Sequence, residues 1–218
     1  MTNNKLSHVA LILDGNKRWA KNNNLPSVHG YKKGFDNIKN LVQYSLSLNI
    51  SNLTLFTLSS ENYNRPSLDL IYEIIYNNFT KLVDELITKK NVKINIIGSR
   101  SNLPNKIKDI FDEVENISLN NKSLNLNIAF NYGFKEEIKN VFNKILIDRD
   151  IDLSNEENIK NLFYLKNIPD PDILIRTGGE KRLSNFIMYN LTYTEIFFIN
   201  TLWPDFTNNE LNKIIDEY

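Results

Sequence analysis

Five short runs of β-branched and aliphatic residues, Val9–Leu13, Leu53–Leu58, Val92–Ile97, Leu124–Phe130 and Ile173–Ile175, lie along the chain, most of them separated by long segments of helical period. This alternation constrains the fold most, because parallel strands need long crossovers and amphipathic helices supply them. Phe35–Leu48, Leu68–Lys89, Leu103–Ile117, Glu136–Ile147 and Glu156–Leu165 repeat apolar residues at helical spacing. Pro66-Ser67 and Ser154, the latter ahead of Glu156 and Glu157, are helix-start signals. A sixth strand fits Glu195–Ile199. The expected fold is α/β: a single domain over residues 1–218, with a central, mainly parallel sheet of about six strands wrapped by helices. Asp148–Ser154 reads as a polar loop, and no repeat or Pro/Gly/Ser linker divides the chain.

In such sheets ligands gather beyond the carboxyl ends of the strands, where helix amino termini favour anions. Lys+Arg and Asp+Glu both number 26, so no global field draws the protein to nucleic acid or to an anionic membrane. Anion recognition must be local. The chain has no Cys and only two His, which removes thiolate chemistry and makes a zinc site a poor fit, leaving carboxylates and a hard cation. The apolar run near the amino terminus is too short for a signal peptide or a membrane span, and the expected location is cytoplasmic.

Three polar clusters fall where such loops are expected. Leu13-Asp14-Gly15-Asn16-Lys17-Arg18-Trp19 ends the first strand and would place a carboxylate, free backbone N–H groups and a guanidinium around one point, an arrangement suited to a metal–phosphate complex. The same residues also suit an N-cap and a solvated Arg. Ser59-Ser60-Glu61-Asn62-Tyr63-Asn64-Arg65-Pro66 ends the second strand, a second polar cluster at the same sheet edge that by residue type alone reads better as an ordinary capped loop. Arg176-Thr177-Gly178-Gly179-Glu180-Lys181-Arg182-Leu183-Ser184-Asn185 places cations and hydroxyls about a Gly pair, a pattern that favours an anion nest over a solvated loop. Four of the six Arg lie in these clusters. Neither a P-loop nor a Gly-rich dinucleotide fingerprint is present, which argues against a nucleotide enzyme.

Taken together, His8–Ala20, Leu53–Pro66 and Asp170–Phe186, extended by Tyr193–Phe198 and Leu202–Phe206, closely resemble the cis-prenyltransferase family. The resemblance runs through nearly the whole chain in order. It implies a homodimer with a hydrophobic tunnel in each subunit, and repeated addition of isopentenyl diphosphate to an allylic diphosphate, usually farnesyl diphosphate, with new double bonds formed cis. The implied product is a polyprenyl diphosphate such as the undecaprenyl carrier of cell-wall synthesis, made without a transmembrane segment but with a transient or peripheral membrane contact. The implied cofactor is Mg²⁺, held by Asp14 and Glu195, with Asp14 the essential carboxylate. Gly15, Asn16, Lys17, Arg18, Trp19 and Tyr31 would cradle the allylic diphosphate. Arg176, Arg182, Leu183 and Ser184 would bind isopentenyl diphosphate, while Ser59, Ser60, Glu61, Asn62, Tyr63 and Arg65 complete the second motif. The family assigns that Asn as proton acceptor; an amide is a weak base, so an orienting or relay role fits Asn62 better, with departing diphosphate as the sink.

Four positions depart from the family pattern: Ser27 replaces an Arg, Tyr31 a His, and Tyr63 and Tyr189 each a Trp. Lys17 or Lys32 could replace the cation missing at Ser27. The sequence also lacks the family's basic carboxyl-terminal tail. A non-catalytic subunit supporting a partner is the alternative, against which Asp14, Arg18, Arg176, Arg182 and Glu195 are all retained.

Overall fold

The computed structural model describes residues 6–62 and 67–218. Six strands form one sheet: β1 (His8–Ile12), β2 (Asn52–Ser59), β3 (Val92–Ile97), β4 (Leu124–Tyr132), β5 (Ile173–Arg176) and β6 (Glu195–Phe198). Their order is β3-β4-β2-β1-β5-β6 and every pairing is parallel. Strand β1 is buried at all five positions, as expected when both faces of a parallel sheet are covered. Alternation divides it: Val9 and Leu11 face a core shared with Leu41, Val42, Leu86 and Trp203, whereas Ala10 and Ile12 face another with Leu165, Leu174 and Phe186.

Among the described residues, seven α-helices surround the sheet: α1 (Asn16–Asn22), α2 (Ser27–Ser47), α3 (Leu68–Leu82), α4 (Asn105–Ile117), α5 (Phe134–Ile147), α6 (Glu156–Lys160) and α7 (Asn208–Glu217). Helix α4 buries Ile107, Phe111 and Val114, one stripe at helical spacing. Helix α7 opens with a capping box, in which Thr207 and Glu210 satisfy each other's backbone N–H groups, and buries Leu211 and Ile214 beside Trp203 and Phe206. No described helix is long and apolar enough to cross a membrane.

The expected sheet is present, and several helical boundaries differ: α2 begins at Ser27 rather than Phe35, α4 at Asn105 rather than Leu103 and α5 at Phe134 rather than Glu136. The segment expected as one helix from Leu68 to Lys89 changes at Leu82 into a π-helical turn, Val83–Thr88, and α6 ends at Lys160 rather than Leu165. Strand β2 carries a bulge, since Phe56 pairs with Ala129 and Leu58 with Phe130. Thr57 is the extra residue, and its hydroxyl donates to Ala129 O at 2.9 Å. Thr57 and Leu58 consequently both face the helices, which regular alternation forbids.

Candidate active site

The central strand β1 lies between β2 and β5, so its carboxyl end and that of β5 deliver Asp14 and Arg176 side by side. The Asp14 carbonyl accepts from Thr177 Oγ1 at 2.7 Å and from Trp203 N at 3.0 Å, which fixes the backbone from which the carboxylate projects. Gly15 follows with φ +123°, and a Cβ there would lie 2.9 Å from Leu202 Cβ. Only glycine fits this turn.

The Asp14 carboxylate meets two guanidiniums, with Oδ1 3.1 Å from Arg18 Nη2 and Oδ2 3.0 Å from Arg176 Nη2. Arg18 Nη1 also donates to Gly178 O at 2.6 Å, joining α1 to the loop after β5. Arg176 is only 3% exposed, and its Nη1 donates to Ser184 Oγ at 2.6 Å and to Arg182 O at 2.5 Å. Arg176 Nε and Asn16 Oδ1 are buried without a hydrogen-bond partner among the described residues. These orphaned atoms give a polar ligand a donor and an acceptor to complete.

Ser184 and Asn185 adopt left-handed φ values of 51° and 64°, and Ile187 one of 25°. The strain is held by neighbours: Asn185 O accepts from Phe134 N at 2.8 Å, its Oδ1 accepts from Lys135 N at 2.9 Å, and Phe186 stacks on Phe56 with centroids 4.6 Å apart. Tyr132 packs edge-on to Phe186 and donates to the buried Glu137 carboxylate, which also accepts from Tyr164 N at 2.7 Å. Burial pushes the Glu137 carboxyl up against the opposing pull of those bonds. Asn185 Nδ2 reaches Glu61 Oε1 at 3.4 Å, bringing the loop after β2 to the same edge.

An apolar cavity of about 150 Å³ opens beside this edge among Leu13, Asn16, Tyr31 and Gly34. It runs between the sheet and three helices, with Ile38 of α2, Leu82 of α3 and Val114 of α4 in its walls. On β4 it follows Phe130, Ile128 and Leu126, a depth of roughly 13 Å at the usual strand rise. Gly34 brings α2 close, since a Cβ there would lie 2.2 Å from Asn16 Oδ1 and 2.9 Å from Trp203 Cδ1. A charged rim therefore adjoins a greasy interior, the requirement of a site for an amphipathic anion.

The family model described as "Putative undecaprenyl diphosphate synthase" matches residues 12–218. The chain belongs to this family of prenyltransferases. Over 97% of its length it is 39% identical to an isoprenyl transferase of Aquifex aeolicus, 91% of which is covered. It is 37% identical over 97% of its length to a tritrans,polycis-undecaprenyl-diphosphate synthase (geranylgeranyl-diphosphate specific) of Pyrobaculum aerophilum, of which 92% is covered. Lavandulyl diphosphate synthase from Lavandula x intermedia, solved in complex with dimethylallyl diphosphate, superposes with a TM-score of 0.90 at 32% identity, covering 98% of this chain and 95% of that one. A probable undecaprenyl diphosphate synthase from Campylobacter jejuni superposes with a TM-score of 0.81, with the same identity and coverage.

Within the family pattern, the structure brings Asp14, Gly15, Asn16, Arg18, Arg176 and Ser184 together, and sets Ser59, Ser60, Glu61 and Asn62 at the adjoining strand end. Tyr31 lines the cavity mouth. The Trp19 ring lies under Lys33 Nζ at 4.4 Å, and Leu183 packs against the second core. Arg182 pairs with Glu180 in solvent, and Lys17 is exposed on the first turn of α1. Tyr63 and Arg65 lie outside the described residues. Glu195 is not brought to Asp14 in this chain: it starts β6 opposite Ile173, whereas Arg176 pairs with Phe198. Among the described residues no three His, Asp or Glu side chains converge as a metal cage. Of the two candidate replacement cations, Lys32 lines a groove between α2 and α3, which leaves Lys17 beside Arg18. The motif reading missed the contributions of Thr177 and Asn185, whose signals were a hydroxyl after the strand-end Arg and an Asn tolerant of positive φ.

Proposed function

We propose that the protein is a Mg²⁺-dependent cis-prenyl elongase that adds isopentenyl diphosphate to an allylic diphosphate, with farnesyl diphosphate as starter and undecaprenyl diphosphate as product. The carrying observation is that the Asp14–Arg18–Arg176 cluster and the apolar cavity share one rim at Leu13 and Asn16. A diphosphate head bound at the cluster would send its tail into the cavity.

Asp14 suits a hard cation that takes one or two carboxylates, substrate phosphate oxygens and water, and such a cation needs no full protein cage. Glu195, at the other end of β5–β6, would serve only a site completed by a second copy, consistent with a homodimer. Bound Mg²⁺ supplies Lewis-acid neutralisation of the charge on departing diphosphate, worth several kcal/mol. Arg18 and Arg176 add fixed positive charge at the same place, already oriented by Gly178 O, Ser184 Oγ and Arg182 O. Arg182, exposed and paired with Glu180, would exchange that carboxylate for the second diphosphate.

In the reaction the allylic C–O bond breaks and its electron pair leaves with diphosphate. The alkene of isopentenyl diphosphate then attacks the allylic carbon, and loss of a proton from the adjacent carbon forms the new double bond. Juxtaposition in the closed site supplies much of the advantage. Asn62 orients that proton, and the released diphosphate accepts it. A long, greasy product of this kind would be released through peripheral membrane contact, with the reaction itself placed in the cytoplasm.

The test is incubation of purified protein with Mg²⁺, farnesyl diphosphate and labelled isopentenyl diphosphate. Extended cis-prenyl products that disappear on chelation are expected. A folded protein that extends no allylic starter, or extends it equally well after chelation, overturns the proposal.

A further inference from the structure

The turns that carry Asp14 and Gly178 both lean on a third stretch of chain, Ile199–Trp203. Ile199 O accepts from Gly179 N at 2.8 Å, Thr201 O accepts from Gly178 N at 2.8 Å, and Trp203 N donates to Asp14 O at 3.0 Å. Leu202, between the last two, occupies the space that a side chain at Gly15 would need. Gly178 and Gly179 have φ values of 86° and 80°. Glycine restrains its own backbone little, so this turn keeps its shape through its neighbours. Gly178 O in turn accepts from Arg18 Nη1 at 2.6 Å, so the guanidinium is aimed by a residue whose own N–H rests on Thr201.

This strap has two anchors. At Trp203 it is tied to α2, with the indole Nε1 donating to Gly34 O at 2.9 Å and Asn37 Nδ2 donating to Trp203 O at 2.9 Å. At Thr201 it is tied to α7: Thr201 Oγ1 donates to Glu210 Oε1, while Oε2 of the same carboxylate accepts from Thr207 N at 3.0 Å and from Thr207 Oγ1 at 3.1 Å. The capping box therefore uses one carboxylate oxygen, and the other serves the strap. The Arg176 guanidinium takes its orientation from Ser184 Oγ and Arg182 O, which the Thr201 anchor does not touch.

We propose that Thr201 and Glu210 are positioning residues for the allylic diphosphate: the Glu210 carboxylate pins Thr201, Thr201 O sets Gly178, and Gly178 O aims Arg18 at the head group. The proposal rests on the reading of the Asp14–Arg18 cluster as a diphosphate cradle. It links starter recognition to α7, none of whose residues lines the cavity.

Thr201→Val keeps the side-chain volume and removes the hydroxyl. It should raise the KM for farnesyl diphosphate about fivefold to tenfold, the worth of one hydrogen bond. The KM for isopentenyl diphosphate should stay within about twofold of the parent. Thr201→Ser returns the hydroxyl and should restore the starter KM. Thr207→Ala weakens the cap but leaves Thr201 on Glu210, so it should lower the unfolding midpoint and keep the starter KM parental, a separation that a purely structural role does not give. Glu210→Ala should match Thr201→Val in starter KM, and combining the two should add nothing further. Calorimetry with inorganic diphosphate reads the same cradle without turnover, and Thr201→Val should bind it more weakly by the same factor. A Thr201→Val enzyme with parental starter KM and parental diphosphate affinity, or a Thr207→Ala enzyme that loses as much starter affinity, overturns the proposal. A parent that binds diphosphate but extends no starter overturns the elongation reading instead, and the calorimetric comparison still decides the role of Thr201.

Discussion

Replacing Asp14 separates its two tasks, neutralising Arg176 and serving the chemistry. In Asp14→Ala the guanidinium of Arg176, 3% exposed, loses its counter-charge. Breaking a buried pair from one side costs about 3–5 kcal/mol. Here the Asp14 side chain is 31% exposed and Arg176 keeps Ser184 Oγ and Arg182 O, so a cost of about 2 kcal/mol is expected. For a domain of this size that lowers Tm by roughly 4–8 °C. Asp14→Asn retains an oxygen to accept from Arg176 Nη2 and should cost about 1 kcal/mol or less. Both variants lose the carboxylate and with it about 3–4 kcal/mol of transition-state stabilisation, a fall of roughly 10²–10³ in kcat/KM. Incorporation of labelled isopentenyl diphosphate across a Mg²⁺ series, alongside thermal unfolding, reads both tasks. An Asp14→Asn enzyme with near-parental turnover, or an Asp14→Ala protein as stable as the parent, would refute the reasoning.

His8 predicts a pH dependence of stability. Burial lowers its imidazole to about 4 against an ordinary 6.5, while Nδ1 donates to Pro169 O at 2.6 Å and Nε2 accepts from Thr54 Oγ1 at 2.7 Å. The unfolded chain binds the proton first, so stability is complete above pH 6.5 and about 3 kcal/mol is lost as pH falls to about 4. Denaturant titrations of the parent and His8→Gln should diverge in slope across that window, and parallel curves would refute the assignment. Gly34→Ala should lower both stability and starter affinity, because its Cβ meets Asn16 Oδ1 and Trp203; an unchanged KM for farnesyl diphosphate would contradict this. Thr207→Ala removes one half of the α7 capping box and should cost about 1 kcal/mol, seen in the denaturant midpoint, with kcat unaltered.

The strands were legible because each is a short, buried, aliphatic run, and β1 differs from its expected span by a single residue at each end. Helix α7 was not read, although Thr207 and Glu210 spell its capping box, because its apolar stripe is short and the segment is rich in Asn. The change at Leu82 to a π-helical turn leaves no mark in apolar periodicity, and the Thr57 bulge is equally silent because it depends on pairing with β4. At the site, residue types identified Asp14, Arg18 and Arg176 correctly as neighbours, but the burial of Arg176 is a property of the assembled loops. The separation of Glu195 from Asp14 follows from strand register, which sequence motifs do not carry.

The place of β1 in the sheet has a consequence for biogenesis. This strand is synthesised well before β5, one of its two neighbours, and the clamp on its amino end, Asp172 accepting from Ser7 N at 2.7 Å and His8 N at 2.8 Å, is made more than 160 residues later in the chain. Loop-closure entropy must be met before that pairing returns any energy, so folding should be slow and late. A nascent chain that has not yet extruded β5 holds Asp14 without Arg176, and the reaction centre comes into being only once β5 has docked beside β1.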